Sequence, residues 1–311
     1  DGLRAVAVAA VILYHAQQAM PSSWLPGGFL GVEVFFVISG YLITALIIGE
    51  HDRTGALDIR AFWLRRARRL LPALVALLLV SITVVGLVGQ TNGSLRDHVG
   101  PFRGMWLSAW GYVTNWYQIA AGLGYGDNMG RPPLLRHLWS LAVEEQFYVV
   151  WPLVMWLILA RGRHRLRAVG AVFALLALAV AAITAIAYRP NDLGRINWLY
   201  LATPTRAGGL LLGAALAIFW QPWAAATPAG PRHGRTVDVL AVPAIGVLLW
   251  AFTRWHLTTD GPLGSEGYDL LFRGGFLLVG AATLMLLIAS THPGSAVGRH
   301  LLGARPLVWV G

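Results

Sequence analysis

Apolar residues along this chain run in long blocks instead of alternating with polar ones, and short polar stretches rich in arginine separate the blocks. A helix crosses a bilayer core with about 20 such residues. Blocks of that order stand at 4–20, 29–49, 70–89, 104–121, 138–160, 167–187, 197–220, 237–256 and 270–290. The pattern predicts an all-α, polytopic integral membrane bundle of about nine to ten transmembrane helices. It forms a single membrane domain over residues 1–311. The tenth helix would open at Arg305 and continue past Gly311, and the chain starts at Asp1 without a Met, so it reads as a domain cropped at both ends.

Composition narrows the class. Hydrophobic residues make up 57% and charged ones 12%, against about 25% charged in soluble domains. A water-soluble globule is excluded. The formal charge is +10, and every basic Lys/Arg position is arginine. Short loops between apolar blocks hold most of these arginines, where the positive-inside rule accounts for them. Nucleic acid is therefore not an expected partner. Cysteine is absent, which removes disulfides, thiolate metal sites and cysteine nucleophiles, and no metal site is expected. Richness in Ala, Gly and Arg without Lys points to a bacterial, GC-rich source.

Arginine also orients the chain. Arg53, Arg60, Arg65, Arg66, Arg68 and Arg69 lie between the second and third blocks, which makes that connection cytoplasmic, while the uncharged stretch 21–28 is external. Arg161, Arg163, Arg165 and Arg167 mark a second cytoplasmic loop, and Asp260, Glu266 and Asp269 mark an external one. Strict alternation through all the blocks puts both of these loops on the wrong side. The conflict disappears if 104–121 enters the membrane without crossing it. That block is the most polar and aromatic, with Trp106, Trp110, Tyr112, Asn115, Trp116 and Tyr117, as an interfacial or re-entrant element would be. No internal repeat of the transporter kind is evident.

Polar groups inside apolar spans are the candidates for chemistry. Arg4 and His15 are eleven residues apart, about 16 Å of helix and close to three turns, so they share a face, with Arg4 near the cytoplasmic edge and His15 deep in the span. A neutral imidazole there accepts a proton from an attacking hydroxyl; the alternative is a histidine that only packs. The run from His137 to Tyr148 carries Glu144 and Glu145. Ser140, Glu144 and Tyr148 fall on one stripe at four-residue spacing, and Glu145 faces elsewhere. Either carboxylate orients His15 or binds hydroxyls, or pairs with Arg206 to hold helices together. Arg65 with Arg68, and Arg66 with Arg69, share faces at three-residue spacing; such guanidinium pairs suit phosphates, or anchor to anionic lipid. Gly28, Gly31, Ser39 and Gly40 permit close helix contact, and Glu33 lies at the outer end of its span, within reach of water and of an acceptor.

These motifs together resemble the acyltransferase-3 family of bacterial membrane acyltransferases. Arg4 and His15 meet its opening pattern, Phe35-Phe-Val-Ile-Ser-Gly-Tyr41 its phenylalanine-rich run, Arg65–Arg69 its Arg-x-x-Arg pattern, and Trp139–Tyr148 its Trp-Ser-Leu-x-x-Glu-Glu-Gln-Phe-Tyr pattern. They occur in family order and cover the first half of the chain; the second half matches in hydropathy and at Thr205-Arg206-Ala207. Two positions depart: Glu33 stands where the family usually has Asp, and Gly208-Gly209 where many members have a bulky residue and a glutamate.

The resemblance implies an O-acyltransferase in the bacterial cytoplasmic membrane, with no permanently bound cofactor. It would move an acyl group, commonly acetyl in this family, from acyl-coenzyme A to a hydroxyl of an extracytoplasmic carbohydrate, a lipid-linked glycan or a secondary metabolite. His15 would be base or acyl carrier, assisted by Glu144 or Glu145. Arg65, Arg66, Arg68 and Arg69 would hold donor phosphates, Arg4 would bind donor or developing negative charge, and Glu33, Ser140, Tyr148 and Arg206 would meet substrate. A transporter or flippase of a polar or lipid-linked sugar is the competing class, separable by its indifference to acyl-coenzyme A; a non-catalytic scaffold would tolerate loss of Arg4, His15 and Glu144.

Overall fold

The apolar blocks become helices, and the loops between them sort to the two ends of one bundle. The computed structural model describes residues 1–17, 24–91, 99–124, 133–190, 192–222, 231–257 and 269–311, without a strand among them. In order they form α1 (Gly2–Gln17), α2 (Gly31–Thr54, entered through a single turn at Gly28–Leu30), α3 (Ile59–Thr91), α4 (Val99–Trp110), α5 (Thr114–Ala120), α6 (Leu138–Ala160), α7 (Leu166–Ala187), α8 (Leu193–Leu201), α9 (Thr203–Phe219), α10 (Pro231–Arg254), α11 (Phe276–Thr291, entered through a wide turn at Leu271–Gly275) and α12 (Arg305–Val310). Seven helices among the described residues are long and apolar enough to cross a membrane. Large apolar side chains such as Leu87, Leu175, Ile186 and Val239 point outward, as lipid in place of water allows.

The centre of the bundle is the pair α2 and α9. A Cβ on Gly40 would stand 1.9 Å from the Leu210 carbonyl oxygen, and one on Gly213 2.0 Å from that of Val37. Only glycine permits backbones that close. Gly28 and Gly31 do the same for α1, whose Ala10 and Ala7 carbonyl oxygens would lie 2.3 and 2.4 Å from their Cβ atoms.

The ends agree with the arginine count. Arg163 pairs with Asp52 and donates to Gln221 at 3.2 Å, so the ends of α2, α6 and α9 gather at the arginine-rich side. At the other side Gly27 N–H donates to the Phe252 carbonyl at 2.8 Å, and Tyr188 stacks on Phe272 at 5.1 Å. Asp260 and Glu266 of the expected external loop lie outside the described residues.

The block 104–121 is not one span. It breaks at Gly111–Val113, where Tyr112 takes a left-handed φ of 51°, and Tyr117 lies against Gly104, so α4 and α5 fold back on each other. Arms of 12 and 7 residues are too short to cross, against the ~20 residues required. The broken backbone is satisfied by side chains at the hairpin tip. Gln146 Nε2 donates to the Tyr112 carbonyl (2.8 Å) and to Asn115 Oδ1 (3.1 Å), and Trp116 Nε1 donates to Gln146 Oε1. Asn115 Nδ2 donates in turn to the Leu201 carbonyl and to Thr203 Oγ1, at the break between α8 and α9. Irregular backbone inside a bilayer persists where the protein supplies such partners.

Candidate active site

Polar side chains from α1, α2, α3 and α6 meet on the face of α2 turned away from α9. Glu144 accepts hydrogen bonds from Ser39 and from Tyr148, one turn further along α6. The guanidinium of Arg66 lies 3.4 Å over the Tyr148 ring, a cation–π contact. Arg4 is within electrostatic reach of Glu144, Tyr148, Arg66 and Arg69, and its ion pair with Asp1 is 3.5 Å long. Glu145 points elsewhere, towards Arg66 and Tyr112, with one carboxylate oxygen buried and carrying no hydrogen bond. The adjacent carboxylates therefore occupy different settings, one clamped by two hydroxyls and one beside a guanidinium.

Below this cluster, at the arginine-rich end, a cavity of about 980 Å³ is lined by Arg53, Arg65, Arg66 and Arg69 on one side and Tyr41, Pro222 and Thr291 on the other. A smaller one of about 260 Å³ joins Arg4 to the shared wall of Tyr41 and Thr291. Arg65 is held by Glu50 at 3.1 Å. Arg68 is exposed and does not line the cavity; the Arg66 and Arg69 pair turns inward, and the Arg65 and Arg68 pair is split.

His15 is not deep in the span. Gln17, two residues on, bonds the backbone of Trp24 and Leu25 in the outer loop, and Tyr14 packs on Phe29 at the outer start of α2. The correction follows from α1 being short and displaced outward: Ala7 and Ala10 already face Gly31 and Gly28. His15 Nδ1 lies 2.8 Å from the Val11 carbonyl, which places a proton on that nitrogen. His137, the residue before α6, stands within electrostatic reach of His15. Its ring keeps an open edge, yet desolvation of the rest and then the charge of His15 push its pKa below the usual histidine range, while a bond to the Leu134 carbonyl opposes this. Ser140 donates to the His137 carbonyl at 3.3 Å and is not among the groups on Glu144.

Glu33 and Arg206 form a second centre, on the α9 side of α2. They pair at 2.5 Å with both side chains 3% exposed, which overturns the expectation of a hydrated Glu33 and of Arg206 as partner to Glu144 or Glu145. The guanidinium also lies 3.8 Å over the Phe276 ring, so the charge is enclosed by a carboxylate and an aromatic face. The reason is Gly209, whose Cβ would stand 2.3 Å from Glu33 Oε1: the lengthened carboxylate takes the space that a side chain there would fill.

Sequence reading missed Ser39, treated as a packing residue, and His137, quoted in its motif without a role. The hydroxyl of Ser39 beside a phenylalanine-rich run gave no signal of a carboxylate 105 residues away. His137 was detectable as a second imidazole heading the α6 motif.

Fold and site together define a multi-pass helical membrane protein with a guanidinium-lined cavity at one end and two imidazoles at the other. The chain belongs to the acyltransferase-3 family, whose model, described as an acyltransferase domain, matches residues 1–308. It is similar to YrhL of Bacillus subtilis strain 168, 38% identical over 316 residues, which are 100% of this chain and 46% of that protein. It is likewise similar to O-acetyltransferase OatA of Staphylococcus aureus strain NCTC 8325, 35% identical over 100% of this chain and 47% of that one. Peptidoglycan O-acetyltransferase OatA of Listeria monocytogenes is 35% identical, covering 100% and 46%. The chain thus spans about half the length of these relatives. No solved structure matches it.

Proposed function

We propose that this chain is the membrane part of an O-acyltransferase in the bacterial cytoplasmic membrane. It transfers an acyl group, acetyl by analogy with the named relatives, from acyl-coenzyme A to a hydroxyl of an extracytoplasmic carbohydrate such as peptidoglycan. The observation that carries this reading is the line of polar groups from the Arg66 and Arg69 cavity, past Arg4, Tyr148 and Glu144, to His15 and His137 at the opposite end. A donor with several phosphates suits a cavity walled by guanidinium forks. An acceptor hydroxyl approaching from outside meets His15, the base in this reading. Arg4 sits about 16 Å along α1 from His15, where it neutralises charge developing at the thioester end. The relatives' names favour acylation over the transporter reading.

The test compares base-labile, ester-linked acetate on envelope glycan in cells carrying full-length wild type or His15→Ala at matched membrane abundance. Acetate with the wild type and none with the variant is the expected outcome. Equal acetate in both returns His15 to packing; none in either removes the acylation reading.

A further inference from the structure

The bundle contains a buried serine whose hydrogen bonding is unlike that of its neighbours. Most hydroxyls on the helices donate to a carbonyl one turn back on their own helix: Ser81 to Leu78, Ser108 to Met105, Thr283 to Val279. Two serines among the described residues donate to a carboxylate instead. Ser295 does so at a chain turn, where Asp238 also accepts the backbone N–H groups of Ala296 and Val297, which is capping. Ser39 sits in the interior of α2, only 6% exposed, and its carboxylate comes from another helix. Glu144, that carboxylate, is held in turn by Tyr148. A hydroxyl on a base that a third group orients is the arrangement of an activated nucleophile.

Its position agrees with that chemistry. Arg66 both lines the large inner cavity and covers the Tyr148 ring, so Tyr148 and Arg66 are the layer between cavity and Ser39. Arg4 completes the electropositive surround, where an oxyanion would be stabilised. His15 lies at the far end of α1.

Resting on the acyl-transfer reading, we propose that Ser39 is a nucleophile that takes the acyl group from the thioester donor and holds it as a serine ester part-way through the bundle. In the first half-reaction Glu144 accepts the Ser39 Oγ proton as Oγ attacks the thioester carbonyl. The C–S bond breaks, the acyl group stays on Oγ, and the thiolate takes the proton back from Glu144 to leave as free thiol. In the second, the acceptor hydroxyl attacks the ester carbonyl. The bond to Ser39 Oγ breaks, and the hydroxyl's proton ends on Oγ, regenerating the serine. Atoms and charge balance without a further reactant.

Residues 1–311 have no cysteine, so a cysteine placed at position 39 is the only one in this domain. Full-length protein in native membranes is given radiolabelled acetyl-coenzyme A, quenched, and digested; glycan acetate is followed in parallel for wild type, Ser39→Ala and Ser39→Cys. The expected result is an alkali-labile label on the peptide holding Ser39, lost in Ser39→Ala, whose glycan acetylation falls by about 100-fold or more. Ser39→Cys carries a label released by neutral hydroxylamine and loses its residual activity to N-ethylmaleimide, beyond any effect of the reagent on the wild type. If Ser39→Ala fails to accumulate, the Ser39→Cys label and its maleimide sensitivity decide. A Ser39→Ala protein that loses less than about 10-fold, far short of a nucleophile's contribution, overturns the proposal while acylation itself stands. Wild-type membranes that acetylate neither protein nor glycan overturn the acylation reading and this proposal with it.

Discussion

At the scale of single residues, the two departures from the family pattern explain each other. Glu33 is one methylene longer than the usual Asp, and its Oε1 occupies the space where a Cβ on residue 209 would stand. Gly209→Ala alone should therefore lower the melting temperature in detergent, and adding Glu33→Asp should restore much of the loss; additive losses in the double variant would disprove the coupling. Removing one partner of the enclosed ion pair, as in Arg206→Met, should cost about 3–5 kcal/mol because a bare charge is left buried. The donor arginines separate in the same way. Arg69→Ala should raise KM for acyl-coenzyme A by about 10-fold or more, the scale of a lost charge-assisted hydrogen bond, whereas Arg68→Ala, on the far face, should leave it unchanged. His137 gives a pH signature. Its folded pKa lies below the ordinary 6.5, so the fold favours the neutral ring. That stabilisation is complete above pH 6.5 and is lost as pH falls through the depressed value. Melting temperature against pH should show this acid-side decline in the wild type and a flatter one in His137→Gln.

At the scale of elements, the hairpin α4–α5 depends on one side chain of another helix. Gln146 satisfies the Tyr112 carbonyl, Asn115 and Trp116 at once and accepts from Thr203 at 2.5 Å. Gln146→Leu would orphan these groups at about 1–3 kcal/mol each, so the tip should detach: a cysteine placed at Val113 should react faster with a thiol reagent in that background than in the parent. Equal rates would show that packing of Trp106 and Met105 against α3 holds the hairpin without the polar hub. The sequence carried half of this feature. Loop charge demanded one fewer crossing, and aromatic, polar content picked out the block. The break at Tyr112 was not legible, because the groups that satisfy it come from Gln146 and, through Asn115, from Leu201 and Thr203, distant in sequence. The same holds for the site: Arg4, Glu144 and Tyr148 were visible as charges or hydroxyls in apolar spans, whereas Ser39 became interesting only once α6 lay beside α2.

At the scale of the whole molecule, those same loop charges predict a topology that one set of experiments can decide. Hydropathy alone located the helices, since an uninterrupted apolar block in lipid has no other way to satisfy its backbone. It could not reveal that α1 is displaced outward, which depends on the Gly28 and Gly31 contacts and moves His15 from mid-span to the outer end. With the hairpin not crossing, the turn around His164 and the end of α7 at Arg189 lie on opposite faces, cytoplasmic and external. Because residues 1–311 hold no cysteine, His164→Cys and Arg189→Cys each place a single reporter in this domain, read against the unsubstituted protein as blank. In intact cells stripped of outer layers, a membrane-impermeant maleimide should label Arg189→Cys at once and His164→Cys only after lysis. Full crossing by 99–120 would exchange the two results. It would also put Arg161, Arg163 and Arg165 outside, and with them the Asp52 end of α2, paired to Arg163, although α2 runs into the connection that carries Arg60, Arg65 and Arg66. A bundle cannot hold both ends of that ion pair on opposite sides of a bilayer, so the swapped labelling would refute the packing of α2 against α6 as well as the hairpin.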